Sequence, residues 1–178
     1  MRLVEPDTPG AIAITVWDLV MASPPATEVD AAPVGVEVVE ATEPAPDLSA
    51  FYYRAVGRDW QWVDRESWTD AQWLAWVDRP EHHLHTLSVA GAPGGYVELE
   101  QQDGGAVEIA YFGLTPKARG HGLGRWFLSY AIAIAWALPG TSRLWLHTCS
   151  LDGPAALPNY LNRGFEVSRE YTEWRRPS

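Results

Sequence analysis

Three glycines, Gly120, Gly122 and Gly124, fall where an apolar strand-like run, VEIAYFGL, gives way to an apolar helix-like run, RWFLSYAIAIAWAL. Glycine lets the backbone aim its N–H groups at a ligand with no Cβ in the way, and the first turn of a helix leaves several N–H groups unpaired. Such a turn binds anions, phosphate and pyrophosphate above all. The charges agree. The chain carries a formal charge of -10, yet no Asp or Glu occurs between Ile109 and Leu151, while Lys117, Arg119 and Arg125 flank the turn. A long apolar helix explains a shortage of charge but not this cluster of cations. The stretch is read as the seat of a phosphate-bearing ligand.

Order and spacing narrow the ligand. A dinucleotide site needs G-x-G-x-x-G with an acidic residue about 20 positions on, and a P-loop needs G-K-[ST]; neither is present. What stands here is R-x-x-G-x-G, at Arg119, Gly122 and Gly124, followed by A-x-x-x-Y-x-x-x-G-F within the segment from Ala155 to Val167. This ordered pair resembles the acyl-CoA signature of the GNAT superfamily of N-acetyltransferases, and the likeness runs from about Tyr96 to Val167. The resemblance implies acetyl-CoA as co-substrate, its diphosphate on the turn formed by Arg119, Gly120, His121, Gly122, Leu123 and Gly124. It implies a pantetheine arm laid along Phe112, Gly113 and Leu114 like an added strand. It also implies that Tyr160 stands near the CoA sulfur and protonates it. The chain departs from the pattern in two places. Gly153 follows Asp152 where many relatives have Asn, and Pro158 sits inside the helix bearing Tyr160, where it should bend that helix.

The usual acceptor of such a transfer is an amine. An alkylammonium has a pKa near 10.4, so a carboxylate, direct or through water, would help remove its proton. Glu108, which opens the strand before the turn, is the first candidate and resembles the catalytic glutamate of the histone acetyltransferase branch. Glu98 and Glu100 compete with it, sharing one face of the neighbouring strand by alternation. A reaction without a dedicated base stays open. Trp60, Trp62 and Asp64, from the tryptophan-rich segment between Asp59 and Trp76, together with Glu100, are the acceptor candidates, and a small cationic acceptor suits carboxylates and aromatic rings. Core packing for the tryptophans and plain surface charge for Asp64 and Arg65 are the competing readings. A non-catalytic acyl-CoA-binding module and a peptide amine acetyltransferase are the alternative functions.

These groups need a scaffold. Strand patterns cover Ala11–Val20 and Val34–Val39, then His83–Ala90, Tyr96–Gln101 and Val107–Leu114 as a meander turned by GAPGG and DGG. Asp47 is placed as the cap of a helix whose stripe is Leu48, Phe51, Tyr52 and Ala55, stopped by Gly57. Thr69 and Gln72 form a capping box for a short second helix. The long helix after the glycine turn carries a stripe of Leu123, Phe127, Tyr130, Ala131 and Ile134 and ends at Pro139–Gly140. Arg143–Cys149 and Phe165–Trp174 are the last strands, with the Tyr160 helix between them. The order gives an α+β layered fold, a mixed and mostly antiparallel sheet flanked by about four helices. Residues 1–178 are read as a single domain, with 1–45 supplying N-terminal strands and a Pro/Ala-rich loop.

Composition sets the bounds. A hydrophobic fraction of 47% and ten tryptophans support a packed core. The negative charge argues against nucleic acid as partner, including a charged tRNA acceptor, and no stretch is long enough for a membrane span. A lone Cys149 allows no intrachain disulfide and suits the cytoplasm. His82, His83 and His85 lack the ligand set of a metal centre, so no metal is expected. The partner expected is a small-molecule amine, and a homodimer is allowed.

Overall fold

The computed structural model describes residues 2–26 and 28–176. Eight strands form one sheet: β1 (Arg2–Leu3), β2 (Ile12–Met21), β3 (Val36–Ala41), β4 (His82–Val89), β5 (Ala92–Gln102), β6 (Ala106–Leu114), β7 (Arg143–Cys149) and β8 (Glu166–Arg176). Their spatial order is β1-β8-β2-β7-β6-β5-β4-β3, and every neighbouring pair is antiparallel except β6 and β7. Four α-helices flank it: α1 (Pro46–Gly57), α2 (Asp70–Val77), α3 (Leu123–Ala137) and α4 (Ala156–Leu161). This is the mixed, mostly antiparallel α+β architecture expected from the sequence. No helix among the described residues is long and apolar enough to cross a membrane.

Alternation along the strands divides the packing. Leu87, Val97, Leu99, Val107, Ile109, Leu144 and Leu146 face α3, where they meet Phe127, Leu128, Ala131 and Ile132 in the main core. The opposite face presents Leu84, Tyr96, Glu98 and Tyr111 to α1 and α2. The buried stripe of α1 is Ser49, Tyr52, Tyr53 and Val56, whereas Leu48 and Phe51 are exposed. The expected stripe was therefore rotated: tyrosines and a serine won the inner face because it meets a buried carboxylate, Glu98, to which Ser49 Oγ donates. Asp47 is not the cap either. Pro46 occupies the first turn, Ala45 is the N-cap, and Asp47 lies inside the turn. The α2 capping box forms as read, Gln72 N donating to Thr69 Oγ1 and Thr69 N to Gln72 Oε1. On α3, Leu128, Ile132 and Ala135 join the buried face while Tyr130 and Ile134 sit at its margin. The β4–β5 turn is tighter than GAPGG suggests, Ala90 and Gly91 making it alone and Ala92–Gly95 entering β5.

The sheet is completed by strands from opposite ends of the chain. β2 lies between β7 and β8, antiparallel to both. Leu19 is fully buried near the end of β2 on the α3 side, whereas Ile12 is 39% exposed at its start. Leu19→Ala should lower unfolding free energy by about 2–5 kcal/mol in a urea melt, and Ile12→Ala should cost well under half of that. Equal effects would mean that β2 contributes no core.

Candidate functional site

β6 and β7 are paired over three residues only, Ala106 with Arg143, Val107 with Leu144 and Glu108 with Trp145. Both strands then run on, β6 to Leu114 and β7 to Cys149, without pairing to each other. The register shift opposite Glu98 and Leu99 leaves Ala110 without a β5 partner, and this bulge bends β6 where its parallel pairing stops. Between the diverging strands opens a cleft of about 1190 Å³. Phe112, Gly113 and Leu114 line one bank. Their opposite edge is bonded to β5, so the free backbone edge faces the cleft.

The glycine turn closes one end of it. Gly120 and Gly122 hold φ of +80° and +77°, the left-handed region where a side chain is strained. Gly122 is the N-cap of α3 and no side chain caps that helix. Among the described residues the N–H groups of Gly120, His121 and Gly122 donate to no protein acceptor. Leu123 and Gly124 open the helix, where no preceding turn offers a carbonyl. Gly120, Gly122, Gly124 and Arg125 line the cleft. His121 is exposed and the Leu123 side chain is buried in the core, and neither lines the cleft.

Arg119 plays a part its motif position does not suggest. Its Nε donates to Leu114 O at 3.0 Å, one terminal nitrogen donates to Asp59 at 2.8 Å, and the other to Val56 O at 3.2 Å. The guanidinium braces the end of β6 to the end of α1 and lies 4.7 Å from the ring centre of Trp60. Trp60 also reaches the other bank, lying so close to Gly153 that a Cβ there would come within 3.0 Å of the indole. The glycine beside Asp152 is thus explained by this contact. Asp152 Oδ2 accepts from Thr148 Oγ1 and Cys149 N, tying down the turn that leads into α4.

On the α1–α2 side of the sheet the cleft widens into a polar chamber. Trp62, Asp64 and Tyr111 line one wall, with Tyr53 and Tyr111 hydroxyls donating to the two Asp64 oxygens at 2.8 and 2.5 Å. Trp145, His147, Asp18, Tyr171 and Glu173 line the other. His147 lies opposite Asp18 in the β2–β7 register. Glu108 is not on the wall; its side chain is 13% exposed and it stands behind His147, Oε1 lying 3.7 Å from Nδ1. Its Oε2 accepts from Gln102 Nε2 at 2.9 Å. The Glu108 carboxylate beside it pushes the His147 pKa up, partial burial opposes this, and the charges of Asp152 and Asp18 add to the rise.

Tyr160 sits at the foot of the cleft, against Phe112 and Phe165. Burial pushes its phenol well above the ordinary range, with the charge of Asp152 adding to it. Pro158 leaves the short helix intact, since it is the third residue of α4, where an N–H would find no helical partner. Asn159 Nδ2 donates to Gly124 O at 3.2 Å and joins α4 to the glycine turn.

The two competing carboxylates lie elsewhere. Glu98 is fully buried under α1 and α2, taking hydrogen bonds from Ser49 Oγ and Trp76 Nε1, with Arg65 at 3.5 Å and His82 at 3.6 Å. Burial alone would raise its pKa, but His82, Ser49 and Arg65 together leave it below the ordinary value. Glu100, expected at the acceptor, does not line the cleft and is paired with Arg79 at 2.5 Å. Neither faces the chamber. Sequence reasoning missed His147, Asp18, Tyr171 and Glu173. Alternation in RLWLHTC puts Trp145, His147 and Cys149 on one strand face, a signal that was present. For the other three no signal existed, because nothing in the sequence tells β2 and β8 to flank β7.

The chain matches the family model described as "Acetyltransferase (GNAT) family" over residues 47–165. Among solved structures it is similar to a GCN5-related N-acetyltransferase from Kribbella flavida, with TM-score 0.65 and 19% identity, covering 95% of this chain and 61% of that one. It is also similar to a GCN5-related N-acetyltransferase from Sphaerobacter thermophilus, with TM-score 0.66 and 19% identity over 95% of this chain and 54% of that one. A third is a tandem GNAT protein from the clavulanic acid biosynthesis pathway, with TM-score 0.61 and 15% identity, covering 90% of this chain and 52% of that one. The chain thus spans between about half and six-tenths of the length of these structures, and at such identities the likeness establishes the fold. No curated protein matches it.

The buried carboxylate gives a test of how the chamber wall is supported. Glu98→Gln leaves Arg65 buried without its counter-charge and should cost on the order of 3–5 kcal/mol in a urea melt at neutral pH. Because the native carboxyl is held below its unfolded value, its contribution is present above the ordinary carboxylate range and fades as pH falls through it. The difference between wild type and variant should therefore shrink on acidification. A difference that grows would contradict the assignment.

Proposed function

The chain belongs to the acetyltransferase (GNAT) family, and from that premise we propose that it is an acyltransferase that carries an acetyl group from acetyl-CoA to the primary amine of a small cationic acceptor. The observation that carries this reading is the juxtaposition of a splayed β6–β7 pair with a turn of unpaired N–H groups at the splay's end. An extended molecule with a diphosphate at one end and amides along its length meets complementary groups in both places. The free edge of Phe112, Gly113 and Leu114 suits the amides, and the turn from Gly120 to Gly124 suits the diphosphate. Arg125 adds charge at the mouth.

Acyl transfer by direct attack makes three demands on the chain's own groups. The acceptor must be held near the splay, and the chamber between Trp62, Asp64 and Tyr111 on one side and Asp18, Tyr171 and Glu173 on the other offers carboxylates and ring faces to a cation. Charge on the carbonyl oxygen is met by a backbone N–H of the β6 edge. The leaving sulfur is met by Tyr160. A phenol raised above its ordinary pKa is a poor acid, so Tyr160 stabilises the thiolate by hydrogen bonding, and transfer follows only as negative charge collects on sulfur. A reducing cytoplasm, where acetyl-CoA is available and Cys149 stays a thiol, is the proposed setting.

Calorimetry with CoA and thiol release over a panel of polyamines, amino sugars and peptides test the reading together. Gly122→Val should lose at least about tenfold in CoA affinity, its φ being one that a β-branched side chain resists. Tyr160→Phe should keep the affinity and lower kcat by about 10²-fold. Cationic amines should outrun anionic ones. Binding of CoA without thiol release towards any amine would reduce the protein to an acyl-CoA-binding module.

A further inference from the structure

We infer that His147, and not Glu108, takes the proton from the acceptor amine, with Glu108 acting behind it as the residue that orients the ring. The inference rests on the acyl-transfer reading above and adds a residue the motif does not contain. His147 lines the chamber, with a side chain that is 57% exposed, whereas Glu108 is 13% exposed and does not line it. The imidazole turns Nδ1 towards Glu108 Oε1. That leaves Nε2 free for the chamber, and among the described residues it makes no hydrogen bond. Glu108 is itself fixed by Gln102, whose other amide atom, Oε1, accepts from Trp145 Nε1 at 3.0 Å. Gln102 and Trp145 thus fix Glu108 at the closed end of the splay, where its carboxylate faces the ring from behind as a carboxylate that sets a histidine's tautomer and orientation does.

The remaining charges around the ring act in the same direction. Asp18 lies opposite it in the β2–β7 register, and the charge of Asp152, in the turn after β7, adds from farther off. Arg169 on β8 pairs in register with Asp18 but places its guanidinium 4.5 Å over the Tyr171 ring. The three carboxylates favour the imidazolium, while Arg169 is turned onto Tyr171 and Arg175 is paired with Glu173 at 2.7 Å, so the neutral ring is a stronger base than an isolated histidine. The proton balance is complete with groups already named. The ammonium gives one proton to Nε2, from which it passes to solvent. The freed nitrogen forms the C–N bond, and the C–S bond breaks with its electron pair going to sulfur. The second proton, shed by nitrogen as the adduct collapses, ends on the thiolate beside Tyr160.

The test is kcat against pH at saturating amine for the wild type, His147→Ala and Glu108→Gln, with CoA affinity by calorimetry on each. The wild type should show an acid limb with its midpoint above 6.5, the ordinary histidine value. His147→Ala should lower kcat by about 10²- to 10⁴-fold, lose the limb, keep CoA affinity, and regain activity with added imidazole. Glu108→Gln should move the limb to lower pH, because the carboxylate that raises the histidine is gone. A limb unchanged in His147→Ala, or Glu108→Gln inactive while His147→Ala stays within threefold of wild type, overturns the inference and returns the role to Glu108. Should His147→Ala not fold, NMR titration of the wild-type ring decides: a midpoint at or below 6.5, unmoved in Glu108→Gln, overturns it equally. A wild type that binds CoA but releases no thiol with any amine overturns the acyl-transfer reading itself, and this inference with it.

Discussion

The site exists because two parallel strands stop pairing. A parallel ladder in the middle of a sheet normally continues, since each unpaired backbone group it leaves buried is costly. Here β6 and β7 part after Glu108, and the bulge at Ala110 is the local cause. The unpaired edges survive because they face an open cleft and because both strands are bonded on their far sides, β6 to β5 and β7 to β2. An incoming amide chain would complete what the sheet leaves undone. The glycine turn at the end of β6 has the same logic, its N–H groups being ones the helix cannot satisfy from within. Both surfaces are thus main chain, and substitutions along them would be felt mainly through backbone conformation.

The chamber wall relies on a different interaction. Arg65 is buried with its guanidinium carbon 3.7 Å from the Trp76 ring centre, 4.2 Å from Tyr111 and 4.4 Å from Trp68. Glu98 lies behind it at 3.5 Å. Burying such a pair costs several kcal/mol per ion before their attraction is counted, so its role is better described as positional than as stabilising. Arg65 N donates to the Tyr53 hydroxyl, and that hydroxyl donates to Asp64. The loop that presents Trp62 and Asp64 is in this way fastened to α1 and to the sheet at once. Rigidity of that kind matters where an acceptor must be oriented.

The sequence was most legible where one local pattern determined one structure. The glycine turn, the capping box at Thr69 and the strand Arg143–Cys149 all follow from spacing over a few residues, and the position of Tyr160 in the cleft agrees with what the family resemblance implied. It was least legible where partners from distant parts of the chain decide. The α1 stripe turned because Ser49 meets a carboxylate on β5. Arg119, placed by its motif on a phosphate, is held by Leu114, Val56 and Asp59, and no motif records a brace between two elements. Glu100 left the acceptor list because Arg79 claims it. The acidic wall at Asp18, Tyr171 and Glu173 was invisible for the same reason: register between strands far apart in sequence is set by the whole sheet.

That far-apart register bears on how the molecule is made. Thr15 bonds Ser150 across 135 residues, and Trp17 bonds Glu170 across 153. A ribosome delivers β2 long before either of its neighbours exists, so this apolar strand must wait, unpaired, while the segment that separates them emerges. Contacts of such sequence separation slow folding, and an uncovered strand in the meantime is prone to the wrong partner. Its acidic and proline-rich surroundings, Glu5 and Asp7 before it and Pro24 and Pro25 after it, fit a segment that has to stay out of trouble until β7 and β8 have emerged.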